Sequence, residues 1–155
     1  MKDGADRLFY KLEEHEVPLL IFSSGLGDLI KGFLEKDGLL LPNMHVVANF
    51  FSFNEEGRAL GYQGRILHTY NKNESSLEGD AYFTFVKERR NVLLLGDSFG
   101  DPHMADGLDH DTVIKVGYCY DEGRLDAYLE AYDVVLVNDD TLGYVNELCC
   151  QLMKR

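Results

Sequence analysis

A chain of 155 residues with 45% apolar residues can bury one real core, and its composition is that of a globular protein. Its formal net charge of −12 excludes general nucleic-acid binding through basic patches and argues against an anionic membrane surface as partner. Three cysteines, with Cys149 and Cys150 adjacent, offer no disulfide framework and no metal-ligand spacing, which fits a reducing cytosol. The opening MKDGADRLFY is too polar for a signal peptide, and no apolar run reaches membrane-spanning length.

No internal repeat or low-complexity linker divides the chain, so residues 1–155 read as a single domain. From Asp6 to Glu16, the spacing of Leu8, Phe9 and Leu12 predicts an amphipathic helix. Pro18 introduces the apolar run Leu19-Leu20-Ile21-Phe22, which ends at Ser23-Ser24-Gly25. Leu26, Leu29, Ile30, Phe33 and Leu34 then follow helical spacing, with Gly38 as the stop. Strand, tight turn and helix make half of a βαβ unit.

His45 to Phe53 reads as a second strand, and the Asn-Glu-Glu-Gly turn in the stretch from Asn54 to Thr69 predicts a β-hairpin. After Asn71-Lys72-Asn73 a helix is expected through Phe83 and Val86. The remaining expected elements are a strand at Val92–Leu95, a strand from Thr112 to Tyr118, and a helix from about Glu122 to Tyr132. A strand at Asp133–Val137 and a terminal helix from about Asp140 complete the pattern. Strands alternating with helices imply an α/β, Rossmann-like, largely parallel sheet with covered faces.

Candidate chemistry gathers at three points that follow or precede such strands. The apolar run Val92–Leu95 enters Gly96-Asp97-Ser98, and Asp101 lies four positions after Asp97. In open α/β sheets, ligands bind just past the carboxyl ends of the strands. Two nearby carboxylates repel unless a cation, donors or a shared proton offset the charge, and magnesium takes such oxygen ligands alongside a phosphate. The plainer reading makes Asp101 a helix N-cap, with Pro102 in the first helical position. Ser23 and Ser24, between a strand and a helix, offer hydroxyls and backbone N–H groups to an anion, although a serine there is usually a cap. Lys72, where a helix begins, is a point charge useful near a phosphate, although most lysines are simply solvated.

Serine, lysine and acidic loop, in that order, resemble motifs two, three and four of the haloacid-dehalogenase-like phosphohydrolases. The segments PLLIFSSGLGD, HVVANFFSFNEEG, GRILHTYNKN, VLLLGDSFGDPHMADG and YDVVLVNDDTL resemble, in sequence order, the carboxyl-terminal portion of the cytosolic pyrimidine 5′-nucleotidase family, including its 7-methylguanosine phosphate-specific relative. The likeness runs from about Lys2 to Leu152.

That resemblance implies a magnesium-dependent, cytoplasmic phosphomonoester hydrolase acting on nucleoside 5′-monophosphates, with no nucleic-acid polymer and no membrane as partner. It implies that Asp97 binds magnesium and that Asp101 supports it from behind. It also implies that Ser23 binds the transferring phosphoryl group, that Ser24 contacts the phosphate through its backbone, and that Lys72 neutralises phosphate and nucleophile. Ser24 stands where the family commonly has alanine, and Pro102 where an aliphatic residue is more usual.

The family nucleophile is an aspartate in Asp-x-Asp-x-Thr or Val after an apolar strand, with the second aspartate as acid and base. The one match here, Asp109-His110-Asp111-Thr112-Val113, follows Gly107-Leu108 and precedes an apolar run, so it reads as a loop. The expectation is therefore a partial core domain without its nucleophile segment, its first and central strand, or most of its cap. Two strand edges would be left unpaired, inviting self-association or strand donation from another chain. The alternative is a catalytically inactive truncated copy that binds only phosphate and magnesium, or a partner protein. A receiver-like signalling domain also uses Asp, Ser or Thr, and Lys, but its acidic cluster should follow the first strand.

Overall fold

The computed structural model describes residues 1–68, 71, 82, 86 and 88–154. They are organised as two compact units, Met1–Ile66 with Asp140–Arg155, and Leu67–Asp139. Lys72 lies outside the described residues; of the helix expected through Phe83 and Val86, only Tyr82 and Val86 are described, both helical and buried.

In the first unit, Ala5, Leu8 and Leu12 recur on one face and close into helix α1, Ala5–Glu14, with all three buried. The helix stops two residues before the sequence suggests, because Glu16 adopts a left-handed backbone and Pro18 disfavours helical geometry at Val17. Strand β1, Leu19–Leu26, runs parallel to β2, Met44–Asn49, and helix α2, Gly27–Lys36, connects them. Leu34, Leu39 and Val46 form the core here, with Phe9, Ile21, Ile30, Ala48 and Phe50 packed around it.

The strand expected from His45 to Phe53 breaks at Phe50. Phe50 packs over Gly27, where an added Cβ would stand 2.5 Å from the ring, and Asp28 accepts the Phe51 N–H at 2.9 Å. The chain resumes as β3, Phe51–Phe53, antiparallel to β4, Ala59–Tyr62, which is the expected hairpin. Asn54 organises its turn by accepting N–H bonds from Glu56 and Arg58.

The terminal helix starts later than expected because Asp140–Leu142 pairs with the amino-terminal backbone. Asp3 donates to the Asp140 carbonyl at 3.1 Å, and Leu142 donates to the Asp3 carbonyl at 2.7 Å.

In the second unit, β5, Asn91–Gly96, β6, Thr112–Cys119, and β7, Val134–Val137, form a parallel ladder in that order. A 3₁₀ turn at Glu122–Arg124, capped by the Asp121 carboxylate on the Gly123 N–H, leads into helix α3, Leu125–Ala131. Leu94, Ala105, Cys119, Tyr128 and Tyr132 form the core. The last helix, α4, Gly143–Leu152, returns to the first unit and packs on α1. Among the described residues the chain is thus mixed α/β, with parallel ladders, flanking helices and one antiparallel hairpin.

One packing detail sets the geometry of the β5–β6 ladder at its carboxyl end. Gly96 and Gly117 are partners in register, and Tyr132 lies across both. A Cβ at Gly96 would stand 2.6 Å from the Tyr132 hydroxyl, and one at Gly117 would stand 2.6 Å from its ring. Two adjacent glycines thus make a slot for one aromatic ring. Burial pushes the hydroxyls of Tyr132 and Tyr128 above the ordinary tyrosine range, with the nearby Asp101 adding to the effect at Tyr132. Burial, then the charge of Asp139, pushes Tyr118 up from 10.0 to about 12.

These observations yield two predictions. Gly117→Ala should lower unfolding free energy by roughly 1–3 kcal/mol through overpacking, measured by urea denaturation. That penalty should vanish in a Tyr132→Ala background; an equal penalty in both would refute the slot. Unfolded tyrosines release their protons near the ordinary value of 10.0, while these folded ones hold them. The Tyr118 contribution is therefore complete below pH 10.0 and drains as pH climbs from there through about 12, and Tyr128 and Tyr132 act in the same direction. Alkaline titration should show tyrosinate absorbance rising together with loss of circular dichroism. Full tyrosine ionisation near the ordinary value with the fold intact would contradict it.

Candidate phosphate and metal site

The fully apolar run Val92–Leu95 becomes the interior of β5, and the chain turns immediately after Gly96. Asp97 and Ser98 therefore occupy the carboxyl end of a parallel ladder, the expected position for a ligand loop. Hydrogen bonds hold both peptide units from two sides. Asp101 Oδ2 accepts the Asp97 N–H and the Ser98 N–H, each at 3.0 Å. The Tyr128 hydroxyl donates to the Asp97 carbonyl at 2.5 Å, and the Tyr132 hydroxyl donates to the Ser98 carbonyl at 2.6 Å. Phe99, the next residue, is packed between Tyr128, with ring centroids 4.8 Å apart, and the Arg124 guanidinium, 4.4 Å from its ring.

This arrangement corrects the N-cap reading of Asp101. The residue is the first of a 3₁₀ turn, Asp101–His103, whose N-cap position is Gly100. Asp101 folds back onto the preceding loop instead and is only 4% exposed. Asp97 contrasts with it. Its side chain is exposed, and among the described residues no hydrogen bond or ion pair engages its carboxylate. The backbone is bound on every side while the carboxylate is left to solvent.

Asp111, in the one match to the nucleophile pattern, sits at the opposite end of the same ladder, beside Thr112, the partner of Asn91. Arg90 grips its carboxylate with two hydrogen bonds of 2.7 Å, which holds the acid below the usual carboxylate range. A carboxylate so engaged, at the amino end of the strands, is a structural tie.

Ser23, Ser24 and Gly25 belong to the first unit, at the carboxyl end of β1, where the register with β2 slips between Phe22 and Leu26. The Ser23 hydroxyl accepts the Gly25 N–H at 3.0 Å, and the Ser24 carbonyl accepts Asn49 Nδ2 at 2.8 Å. Neither serine caps α2, whose N-cap is Leu26 with no side-chain bond. The two serines are thus placed on an irregular strand end, with Asn49 as a buried support that the sequence reading missed.

Among the described residues, no group of three or more His, Cys, Asp and Glu could enclose a metal ion. Asp97 can offer one carboxylate, which suits a magnesium ion that keeps several waters and shares a phosphate. Tyr128 and Tyr132, which support the loop from the carbonyl side, are the other residues that sequence reading missed. Their i, i+4 spacing, with a glycine near the carboxyl end of two strands, was the available signal.

The family model described as pyrimidine 5′-nucleotidase (UMPH-1) matches residues 1–153. A 7-methylguanosine phosphate-specific 5′-nucleotidase from Xenopus laevis is 42% identical over 149 residues, covering 94% of this chain and 51% of the relative. The human protein of that name is 40% identical over 151 residues, covering 96% of this chain and 50% of its own length. The crystal structure of cytosolic 5′-nucleotidase IIIB bound to cytidine superimposes with a TM-score of 0.93 at 34% identity, covering 99% of this chain and 52% of that one. The chain thus spans about half the length of these relatives. With the family pattern matched along nearly all of its length, the chain belongs to the pyrimidine 5′-nucleotidase (UMPH-1) family.

Proposed function

We propose that this chain carries the phosphate- and magnesium-binding portion of a cytoplasmic, magnesium-dependent 5′-nucleotidase acting on pyrimidine or 7-methylguanosine 5′-monophosphates. The observation that carries the reading is the exposed Asp97 carboxylate on a loop whose backbone is fixed by Asp101, Tyr128 and Tyr132. A ligand held by a pre-positioned loop loses little to reorganisation when it binds.

In this reading Asp97 holds magnesium, and Asp101 positions Asp97 through the loop amides. Ser23 and the backbone at Ser24 bind phosphoryl oxygens, and Lys72 adds a positive charge beside them. Magnesium supplies charge neutralisation on the phosphate as it develops negative charge in the transition state. The substrate class comes from the relatives, named for 7-methylguanosine phosphate in one case and bound to cytidine in another.

A second reading is favoured by one observation. Within these 155 residues no Asp-x-Asp-x-Thr or Val follows an apolar strand, and Asp111 in the only match is tied to Arg90. On that reading the chain alone binds phosphate and magnesium without turning substrate over.

Calorimetric titration of magnesium in the presence of inorganic phosphate tests the site. Asp97→Asn should abolish binding, and Asp101→Ala should weaken it about 10- to 100-fold, as loss of a supporting residue does at other metal sites. Unchanged affinity in Asp97→Asn would remove the basis for the assignment. Phosphate release from cytidine or 7-methylguanosine monophosphate should be absent for the chain alone. Turnover that disappears in Asp97→Asn would instead establish a complete catalytic centre.

A further inference from the structure

Helices α1 and α4 meet along a seam; Leu8 and Leu12 of α1 are buried, as are Val145 and Cys149 of α4. At the edge of that seam the Lys11 ammonium donates a hydrogen bond to the sulfur of Cys150, across 139 positions of sequence. Both side chains are half-buried. The other two thiols are shut away: Cys149 is 3% exposed, and Cys119 is fully buried with its thiol donating to the Asp121 carbonyl. Of the three cysteines, Cys150 alone is accessible to a small oxidant, and it carries an amine against its sulfur.

We propose that Lys11 and Cys150 form a reversible covalent cross-link when the chain meets a peroxide. The peroxide O–O bond breaks, one oxygen passes to the Cys150 thiol, and sulfenic acid and water result, with sulfur oxidised by two electrons. The Lys11 nitrogen, in its amine form, then attacks that sulfur. The N–S bond forms, the S–O bond breaks, and the departing hydroxide takes the nitrogen proton as a second water. One thiol, one amine and one peroxide thus give one sulfenamide and two waters. Two equivalents of a thiol reductant reverse it, returning the amine and the Cys150 thiol with one disulfide of the reductant.

Geometry selects nitrogen over the neighbouring thiol as the group that resolves the sulfenic acid. Consecutive Cα atoms lie about 3.8 Å apart, closer than the usual range for disulfides, and successive helical side chains point in different directions. Cys149 faces the core while Cys150 faces Lys11, so a Cys149–Cys150 disulfide would require unwinding the middle of α4. The cross-link requires no such movement. It joins the first helix of the chain to the last and closes the backbone into one long loop.

The test is brief peroxide treatment of the full chain, followed by peptide mass mapping with and without dithiothreitol. The expected product is the Lys11 peptide joined to the Cys150 peptide, lighter than their sum by two hydrogen atoms and uncleaved by trypsin after Lys11. It should disappear on reduction and be absent from Lys11→Arg, which keeps the charge but removes the nucleophile, and from Cys150→Ser. The oxidised wild type should also melt at a higher temperature than its reduced form, a shift that Lys11→Arg does not show. Cys150 converted to sulfinic acid beside an unmodified Lys11, or a disulfide contained within the single Cys149–Cys150 peptide, would overturn the proposal.

Discussion

The buried carboxylate of Asp101 is the constraint on which the candidate site depends. A charged side chain that is 4% exposed must find donors, and Asp101 takes the amides of Asp97 and Ser98. Satisfying it bends the chain sharply after β5, and that bend presents Asp97 outward. The tyrosine hydroxyls then hold the same two residues by their carbonyls. The two acids of the loop thus differ by environment: one is buried against the loop amides, and the other is left to solvent.

Much of this architecture was legible in the sequence because parallel strands announce themselves as unbroken apolar runs. Leu19–Phe22 and Val92–Leu95 both lie within strands, with Phe22 and Leu94 buried and the rest half-buried, and the Asn-Glu-Glu-Gly segment became the hairpin turn. The hidden part rested on contacts between residues far apart in sequence. Nothing local marks Phe50 as the point where a strand must break, since the cause is a glycine in α2 and the carboxylate of Asp28. The late start of α4 similarly depends on Asp3, at the other end of the chain.

The site was legible to a different depth. Spacing alone singled out Asp97 and Asp101, but it could not tell a helix cap from a loop support. That distinction turns on which way one side chain folds. Sequence pattern also read the Asp109–Asp111 match as loop, and the structure places Asp111 in an arginine fork at the amino end of the ladder. Tyr128 and Tyr132 pack in the core of the second unit, and the polar tips that reach the loop went unread.

The Gly96–Gly117 pair has a further consequence for the shape of the second unit. On the face that carries Leu94, the ladder begins with Val92 beside Val113 and ends with two residues that have no side chain at all. The layer between strands and helix α3 therefore thins toward the carboxyl end, and a flat phenol ring replaces branched aliphatic bulk. Such a taper lets a backbone turn cross the strand tips without lifting away from the sheet. The ring that fills the narrow end carries a hydroxyl at its rim, so the same side chain that measures the gap also fastens the turn above it.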